Sequence, residues 1–319
     1  MALDHYVSQV HLKNFYAPEL GEAFYASRKQ AVRIFPQSSS NVCRIEQGST
    51  NEYLLEDRAI EEVLKTVEPY YNESVAQLEN DSITRESVYV IACFVSYILT
   101  CSPAAMRIQS QPLKAAVEET SKIAELIEKL PVSPPSLGGK SLSELIDSDE
   151  IRVEIDPKYP QAIGITRILS STNVFGNSCW EILHNPFPES PFFTSDFPVC
   201  IERSKDPRVL NRIIPLTPFL AVRILPDIEI DRESPDFNFN KFRRRIKKLN
   251  RRQIAAINQG IVRCAESMIF SQTNSSWVSR FIERNANYRI ETFTRKTPSG
   301  RGTLMLSSQR IAEYRHAST

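Results

Sequence analysis

Hydrophobic positions in the first half of the chain recur at helical spacing. Between residues 60 and 78 they fall every three or four positions, which predicts an amphipathic helix, and Pro69 predicts that this helix kinks or restarts. A second helix is predicted between an Asp81-Ser82 cap and Pro103. Its segment 88–101 is the most apolar of the chain and is too short to span a bilayer, so we interpret it as a buried core helix.

Proline and capping residues mark the next elements. A third helix is predicted from Ser110, with Pro112 in its first turn, where proline is tolerated. Residues 131–140 are rich in Pro, Gly and Ser and form the clearest predicted loop. Ser141 and Glu144 have the spacing of a capping box, which predicts one short helix after the loop.

Short apolar runs, several of them bounded by proline, replace the helical pattern in the second half, and such runs predict strands. The predicted strands are residues 151–155, 163–169, 179–183, 192–194, 199–202, 212–216 and 220–225. After them we predict a long helix from about residue 240 to residue 270, and a closing hairpin of residues 288–293 and 303–306.

These elements together predict an α+β fold. We expect a helical N-terminal half that packs with a mixed, mainly antiparallel β region and a long C-terminal helix. We expect one domain over residues 1–319, with a helical subregion (1–130), a loop (131–140) and a β-rich subregion that contains the long helix (141–319).

Composition narrows the class of protein. Apolar residues make up 41% of the 319 positions and charged residues 24%, as in globular proteins. The only Gly-Gly pair, in Gly138-Gly139-Lys140-Ser141, lacks the first glycine of a phosphate-binding loop, so nucleotide binding of that kind is not expected. Six scattered cysteines without a Cys-x-x-Cys pair, and an N-terminus without signal-peptide features, predict reduced thiols and a cytoplasmic location.

Charge is distributed unevenly along the chain. Residues 1–150 carry 13 Lys and Arg against 22 Asp and Glu, a net charge of −9, whereas residues 151–319 carry 26 against 16, a net charge of +10. The two halves could attract each other within the fold or between subunits. Alternatively, the basic half could bind an anionic partner.

The cations are densest in residues 241–252. They are Lys241, Arg243, Arg244, Arg245, Lys247, Lys248, Arg251 and Arg252. On the predicted helix they face outward, which predicts a surface that contacts nucleic-acid phosphates, with Arg244 and Lys248 among the phosphate ligands. The alternative is a solvated helix face that pairs with the acidic half. Only Phe242 is aromatic in this block, so its residues do not predict base stacking.

Few side chains suited to catalysis lie close together in the sequence. His5 and His11 are six positions apart, and on a helix they would point to different faces, so a shared metal ion is not expected. Glu61 and Glu68 are seven positions apart and share a helix face if Pro69 permits it. Paired carboxylates can hold Mg²⁺ or divide acid and base roles, although a solvated glutamate face explains the same spacing.

Asp196 stands in the apolar run Phe192-Phe193-Thr194-Ser195-Asp196-Phe197-Pro198-Val199. If it is buried, its carboxylate needs a metal ion, an arginine or several backbone amides as partners. The alternative is an Asx-turn before Pro198. Arg107, which follows Ser102-Pro103, could pair with such a carboxylate or bind phosphate.

Two of these segments resemble the family of domain of unknown function 4238. His5-Tyr6-Val7-Ser8-Gln9-Val10-His11-Leu12-Lys13-Asn14-Phe15 is similar to the opening segment of the family, His-Tyr-Val-Pro-Gln followed by Leu-Lys-x-Phe, with Ser8 where the family usually has proline. Ser195-Asp196-Phe197-Pro198-Val199 is similar to its Ser-Asp-x-Pro-Val element. The resemblance covers about residues 5–270, on both sides of the loop, and implies site residues at His5, Glu61, Glu68, Arg107, Asp196 and Asn258.

The leading hypothesis is a cytoplasmic, effector-like hydrolase that acts on nucleic acid or another phosphate-bearing substrate. Some members of the family sit among anti-phage defence genes, and the resemblance implies a role of that kind. In this hypothesis His5 is the base, and Asp196, Glu61 and Glu68 share catalysis and hold a divalent cation such as Mg²⁺. The expected phosphate and substrate ligands are Lys13, Arg107, Asn258, Arg244 and Lys248.

The alternative is a non-catalytic module for partner docking or self-association as a homo-oligomer. In that case His5 is hydrogen-bonded in the core, Asp196 caps a turn and Arg107 belongs to an internal ion pair. No membrane partner is expected, since no apolar segment of the chain reaches the length of a span.

Overall fold

The computed structural model describes residues 3–128, 133–300 and 302–314. Residues 131–132 of the predicted loop lie outside this part of the chain. The α-helices are α1 (Gln9–Lys13), α2 (Ala59–Lys65), α3 (Tyr71–Glu79), α4 (Arg85–Cys101), α5 (Pro103–Glu128), α6 (Leu142–Asp147), α7 (Lys158–Thr166), α8 (Ile168–Gly176), α9 (Arg251–Cys264) and α10 (Ser276–Asn285). The strands are β1 (Leu3–His5), β2 (Phe24–Arg28), β3 (Ile34–Gln37), β4 (Arg44–Glu46), β5 (Cys179–His184), β6 (Thr194–Ser195), β7 (Cys200–Arg203), β8 (Leu210–Pro215), β9 (Leu220–Leu225), β10 (Arg243–Lys248), β11 (Met268–Ser271), β12 (Tyr288–Ser299) and β13 (Gly302–Glu313).

The strands form four sheets in the described residues. A five-stranded sheet has the order β10-β5-β9-β8-β7, a four-stranded sheet has the order β3-β2-β11-β6, and β1-β4 and β12-β13 form two-stranded sheets. All pairs are antiparallel except β10 and β5, which run parallel. The predicted α+β class and the mixed, mainly antiparallel sheet are therefore confirmed.

Helix α4 is the centre of the helical half. Nearly all of its residues are buried, which confirms the predicted core helix. It begins at Arg85 rather than after Asp81-Ser82, because the Thr84 hydroxyl accepts a hydrogen bond from the N–H of Ser87 (3.2 Å), and Ser87 caps Thr84 in return.

Proline positions set the ends of the other helices in this half. The restart predicted at Pro69 is confirmed, since α2 ends at Lys65 and α3 follows a short 3-10 turn over Glu68–Tyr70. The predicted start of the third helix at Ser110 is wrong. Helix α5 begins at Pro103, where the hydroxyl of Ser102 accepts a hydrogen bond from the N–H of Ala105 (3.2 Å), and Pro112 lies inside it.

Two of the predicted strands do not form. No strand forms at residues 151–155, and residues 163–169 belong to α7 and α8, where Ile165 and Ile168 are buried. Helix α7 packs closely on α4, because a Cβ at Gly164 would lie 2.5 Å from the side chain of Thr100. Tertiary packing thus overrides the β preference of isoleucine. Strands β1 to β4 were not predicted. They are short, β1 pairs with the more distant β4, and β2 pairs with β11 as well as with its neighbour β3.

The predicted long helix over residues 240–270 is wrong. Residues 243–248 form the edge strand β10, residues 251–264 form α9, and residues 268–271 form β11. Asn250 separates the first two, because its side chain accepts a hydrogen bond from the N–H of Gln253 (3.0 Å) in a capping box. The capping box at Ser141 and the closing hairpin are both confirmed, and β12 and β13 are longer than predicted.

No single helix within residues 3–128, 133–300 and 302–314 is long and apolar enough to cross a membrane. The pair α4 and α5 passes that test only when the two helices are taken together, and the chain bends by 62° between them.

Candidate functional site

His5 ends strand β1 and is held against the buried helix α4. The hydroxyl of Tyr97 in α4 donates a hydrogen bond to the carbonyl oxygen of His5 (2.7 Å). The imidazole is half-buried, and its Nε2 atom is buried without a hydrogen-bond partner among the described residues. Burial lowers the pKa of His5, against the opposing effects of the Ser39 backbone and the Glu68 carboxylate. The ring is therefore neutral at pH 7 and able to accept a proton.

Glu61 and Glu68 lie in the same neighbourhood. Glu68 Oε1 accepts a hydrogen bond from the Ser8 hydroxyl (2.5 Å), and Glu61 pairs with Arg58 (3.3 Å). Burial raises the pKa of Tyr97, and both carboxylates lie close enough to raise it further. The structure therefore brings the candidate imidazole and these two carboxylates to one region beside α4.

Asp196 is buried and accepts four hydrogen bonds from one short turn between α9 and β11. Its Oδ1 accepts from the N–H of Glu266 (2.9 Å), and its Oδ2 accepts from the N–H and the hydroxyl of Ser267 (2.7 Å each) and from the N–H of Met268 (3.0 Å). Burial raises the pKa of Asp196, and these hydrogen bonds oppose the rise. Both carboxylate oxygens therefore hold this turn. They do not form the local Asx-turn before Pro198, which was the alternative interpretation.

Arg107 holds the same turn from the other side. Its guanidinium makes two hydrogen bonds to the carboxylate of Glu266 (2.9 Å each) and a third to the carbonyl oxygen of Ile290 (3.0 Å). Bidentate pairing of this kind fixes both position and orientation. Arg107 and Asp196 therefore meet through Glu266 rather than directly.

Lys29 is a buried cation that the sequence did not single out. It is 5% exposed, and its Nζ donates hydrogen bonds to the carbonyl oxygens of Ala265 (2.7 Å) and Tyr288 (2.6 Å). Burial lowers the pKa of Lys29 to about 8, while the nearby Asp196 carboxylate raises it. No local pattern marks this residue in the sequence, because its partners lie far downstream.

The other predicted ligands of a substrate lie apart from this turn. Lys13 is exposed at the end of α1 and makes no ion pair with any residue that the structure describes. Asn258 is buried in α9, where its Nδ2 donates to the carbonyl oxygen of Pro191 (2.9 Å) and its Oδ1 accepts from the N–H of Phe193 (2.9 Å). Asn258 thereby fastens α9 to the segment that precedes β6.

The three carboxylates expected to share a divalent cation do not form one group. Asp196 faces the turn at residues 266–268, whereas Glu61 and Glu68 lie beside α4. Across the described ranges, no group of three or more His, Cys, Asp or Glu side chains is arranged to hold a metal ion. Asp196 lies near the residue that follows His5 in the sequence. Burial raises the pKa of this residue, Tyr6, and the Asp196 carboxylate adds to the rise.

Strand β10 carries the basic block at an edge of the five-stranded sheet. All six of its residues are exposed, including Ile246 at 51%, and they belong to a strand, so the outward face of the predicted helix does not exist. Its sheet neighbour is β5, from the pair Arg243 and Cys179 to the pair Lys248 and His184. Successive side chains of a strand point to opposite faces, and the cations therefore project on both sides of this edge.

Most cations of residues 241–252 form no ion pair with a described residue. Three of the eight form ion pairs, Arg244 with Asp81 (2.5 Å), Lys247 with Glu181 and Arg251 with Glu189. The other five make no ion pair within the part of the chain that the structure describes; they are Lys241, Arg243, Arg245, Lys248 and Arg252. The exposed cations of this edge therefore outnumber the acidic side chains that pair with them.

Comparison with known proteins places these residues in a family. Residues 4–275 match the family described as Protein of unknown function (DUF4238). The chain belongs to the DUF4238 family. The DUF4238 match contains all the candidate site residues and the basic edge strand, whereas α10 and the β12–β13 hairpin follow it in the sequence. The chain has no match among curated proteins or among solved structures.

Proposed function

We propose that this DUF4238 protein binds nucleic acid, and that strand β10 contacts the phosphate backbone. The observation that carries the proposal is the group of five cations in residues 241–252 that form no ion pair with any described residue. A protein that neutralises phosphates with Lys and Arg gains affinity from the release of counterions. Side chains on one face of a strand recur every ~6.6 Å, which is comparable with the spacing of successive phosphates in a single strand.

Protection of a sheet edge accounts for only part of this charge. Charged side chains on an edge strand discourage pairing with other strands. The cations, however, continue beyond β10 to Arg251 and Arg252, in the first turn of α9. The helix dipole disfavours cations at that end, and Arg252, unlike Arg251 with its partner Glu189, forms no ion pair with a described residue that would offset this effect. A bound phosphate relieves this repulsion.

The test removes three unpaired cations of β10 by the substitutions Arg243→Gln, Arg245→Gln and Lys248→Gln. We expect weaker binding of RNA and DNA at low salt. The slope of log K against log salt concentration is expected to fall in magnitude by about 2 to 3, because each lost phosphate contact removes about 0.7–0.9 from it. Fluorescence anisotropy with labelled oligonucleotides at several salt concentrations measures both quantities.

The matched control removes three exposed cations elsewhere, by Arg28→Gln, Arg203→Gln and Lys205→Gln. Arg203 lies in β7, at the opposite edge of the same sheet, and these three residues also lack ion pairs in the described ranges. Both variants have the same net charge. Each substitution is on the surface and is expected to change the free energy of unfolding by no more than about 0.5 kcal/mol. Equal loss of affinity in the two variants would show that overall charge, and not β10, attracts nucleic acid.

A second candidate function is hydrolysis of the bound nucleic acid, or of another phosphate-bearing substrate, with His5 as the base. The observation that favours it is the buried Nε2 of His5, which has no partner among the described residues, on a ring whose pKa is lowered. A neutral imidazole with a free nitrogen can take a proton from water during attack on phosphate. The role of a cytoplasmic effector in anti-phage defence is a proposal that rests on the family resemblance. Assistance of the reaction by Mg²⁺ is a further proposal, which rests on the carboxylates of Glu61 and Glu68.

The hydrolysis test compares the natural chain with His5→Gln, using release of nucleotides from RNA and DNA with and without Mg²⁺. We expect the substitution to reduce the rate by about 100-fold or more, as for other general bases. The control is His184→Gln, at the end of β5, which is expected to keep the natural rate. Nucleic-acid binding without any turnover in the natural chain would leave the non-catalytic module as the better description.

A further inference from the structure

A cavity of about 520 Å³ opens beside the N-terminus of α4. This volume lies in the range of small-molecule pockets. The lining residues come from the segment between α2 and α4 and from the loop before β10, and they include Tyr70, Glu73, Arg85, Glu86, Tyr89 and Phe237.

Aromatic rings form part of its wall. Tyr70 is 56% exposed and its ring stacks on no described residue, while Phe237 is 37% exposed. Tyr89 packs edge-on against Phe237, with 5.9 Å between the ring centroids. Exposed aromatic faces around a cavity are the surfaces on which nucleobases stack in proteins that bind single strands.

The cavity and the basic edge lie on either side of one short segment. Asp81 pairs with Arg244 of β10 and lines the open surface above that strand. Gln77 and Thr84, which flank Asp81 in the sequence, line the cavity, and the N–H of Ser82 donates to the carbonyl oxygen of Gln77 (2.9 Å). Residues 77–84 therefore connect the lining of the cavity with the ion-pair partner of Arg244 in β10.

The charges of the rim favour an uncharged occupant. The one cation of the lining, Arg85, is paired with Glu86 (2.6 Å), and the rim also contains Glu73. A phosphate group would find no uncompensated cation there. Cations without partners are available along β10 instead.

We propose that the cavity accepts a nucleobase of a single-stranded nucleic acid whose phosphates lie along β10. This inference rests on the proposed nucleic-acid binding and adds its substrate class. A duplex keeps its bases paired and stacked, and it can offer one to the cavity only after unpairing it. The protein therefore prefers single strands to duplexes, with little dependence on sequence, because every base has a face that can stack.

The test is the substitution Tyr70→Ala, measured with a short single-stranded oligothymidylate, its RNA counterpart and a duplex of the same length. We expect affinity for both single strands to fall ~10-fold, as for the loss of one stacking partner, while affinity for the duplex and the salt slope stay unchanged. Tyr70→Phe is expected to bind single strands like the natural chain. Phe237→Ala serves as a second variant from the opposite part of the lining.

The control is Tyr159→Ala, another exposed tyrosine, which lies in α7 and does not line the cavity. A fluorescent adenine analogue in the oligonucleotide gives a separate readout, since stacking on Tyr70 quenches its emission. Natural affinity and natural quenching in both Tyr70→Ala and Phe237→Ala would overturn the cavity proposal and leave the β10 proposal intact. Failure of the natural chain to bind any of the three probes would overturn both.

Discussion

His11 is completely buried, and both of its ring nitrogens have a partner. Nδ1 lies 2.8 Å from the hydroxyl of Tyr71, and Nε2 lies 2.8 Å from the hydroxyl of Thr194. The ring therefore joins α1, α3 and β6. Burial lowers the pKa of His11 to about 3, so the imidazole stays neutral in the folded protein throughout the ordinary pH range.

We predict that His11 makes the folded protein sensitive to acid. The unfolded chain takes up this proton near pH 6.5, whereas the folded chain takes it up only near pH 3. The stabilisation is therefore fully present above pH 6.5, declines as the pH falls, and is lost below about pH 3. The expected loss is on the order of 3–5 kcal/mol. Urea unfolding at a series of pH values measures it.

The comparison that isolates this effect is His11→Gln, which removes the titrating group. Its free energy of unfolding is expected to be lower at pH 7 and to change less between pH 6.5 and pH 3 than that of the natural chain. A pH profile of His11→Gln parallel to that of the natural chain would contradict the assignment.

At the scale of elements, β10 depends on the loop before it. The ring of Phe239 in this loop is buried against Gly176, the last residue of α8. A Cβ at residue 176 would lie 2.1 Å from that ring. The side chain of Asn177 then accepts a hydrogen bond from the N–H of Lys241 (3.2 Å), which positions the chain as it enters β10.

We predict that Gly176→Ala destabilises the protein by about 1–3 kcal/mol, because the added methyl group overpacks the contact with Phe239. Alanine is the better helix former by up to ~1 kcal/mol, so the result decides whether packing or helix propensity dominates. Urea unfolding gives the free energy of each variant.

The double variant with Phe239→Ala provides the control for this prediction. Phe239→Ala alone is expected to cost about 3–5 kcal/mol, because a buried ring is lost. The double variant is expected to be no less stable than Phe239→Ala alone, since the clash needs both groups. Two costs that simply add would show that the methyl group added at residue 176 acts on something other than this ring.

At the scale of the whole molecule, the acidic and basic halves meet in part within the fold. Asp81 pairs with Arg244, and Glu119 pairs with Lys296 (2.9 Å), so acidic residues of the first half bind cations of the second. The two halves therefore attract each other within the fold, which is one of the alternatives that the charge distribution left open. This attraction does not extend to the five cations around β10 that form no ion pair with a described residue, and these are the ones that the proposed nucleic-acid binding uses.

Elements with strong local patterns could be predicted from the sequence, and those that depend on distant partners could not. The apolar run of α4 and the alternating strands of the hairpin both formed where expected. Strand β10 did not, because Lys and Arg are good helix formers and only its pairing with β5 makes it a strand. His5 and Asp196 were marked by motifs, but the backbone turn that engages Asp196 lies some 70 positions downstream.

The cations of β10 also affect how copies of the protein behave towards one another. An edge strand offers free backbone groups, and like charge keeps the edges of two molecules apart. In the proposed complex, phosphates along the strand would cancel that charge, and the repulsion between neighbouring copies on one nucleic-acid chain would disappear. The same cations that keep free molecules apart would then allow bound molecules to lie side by side.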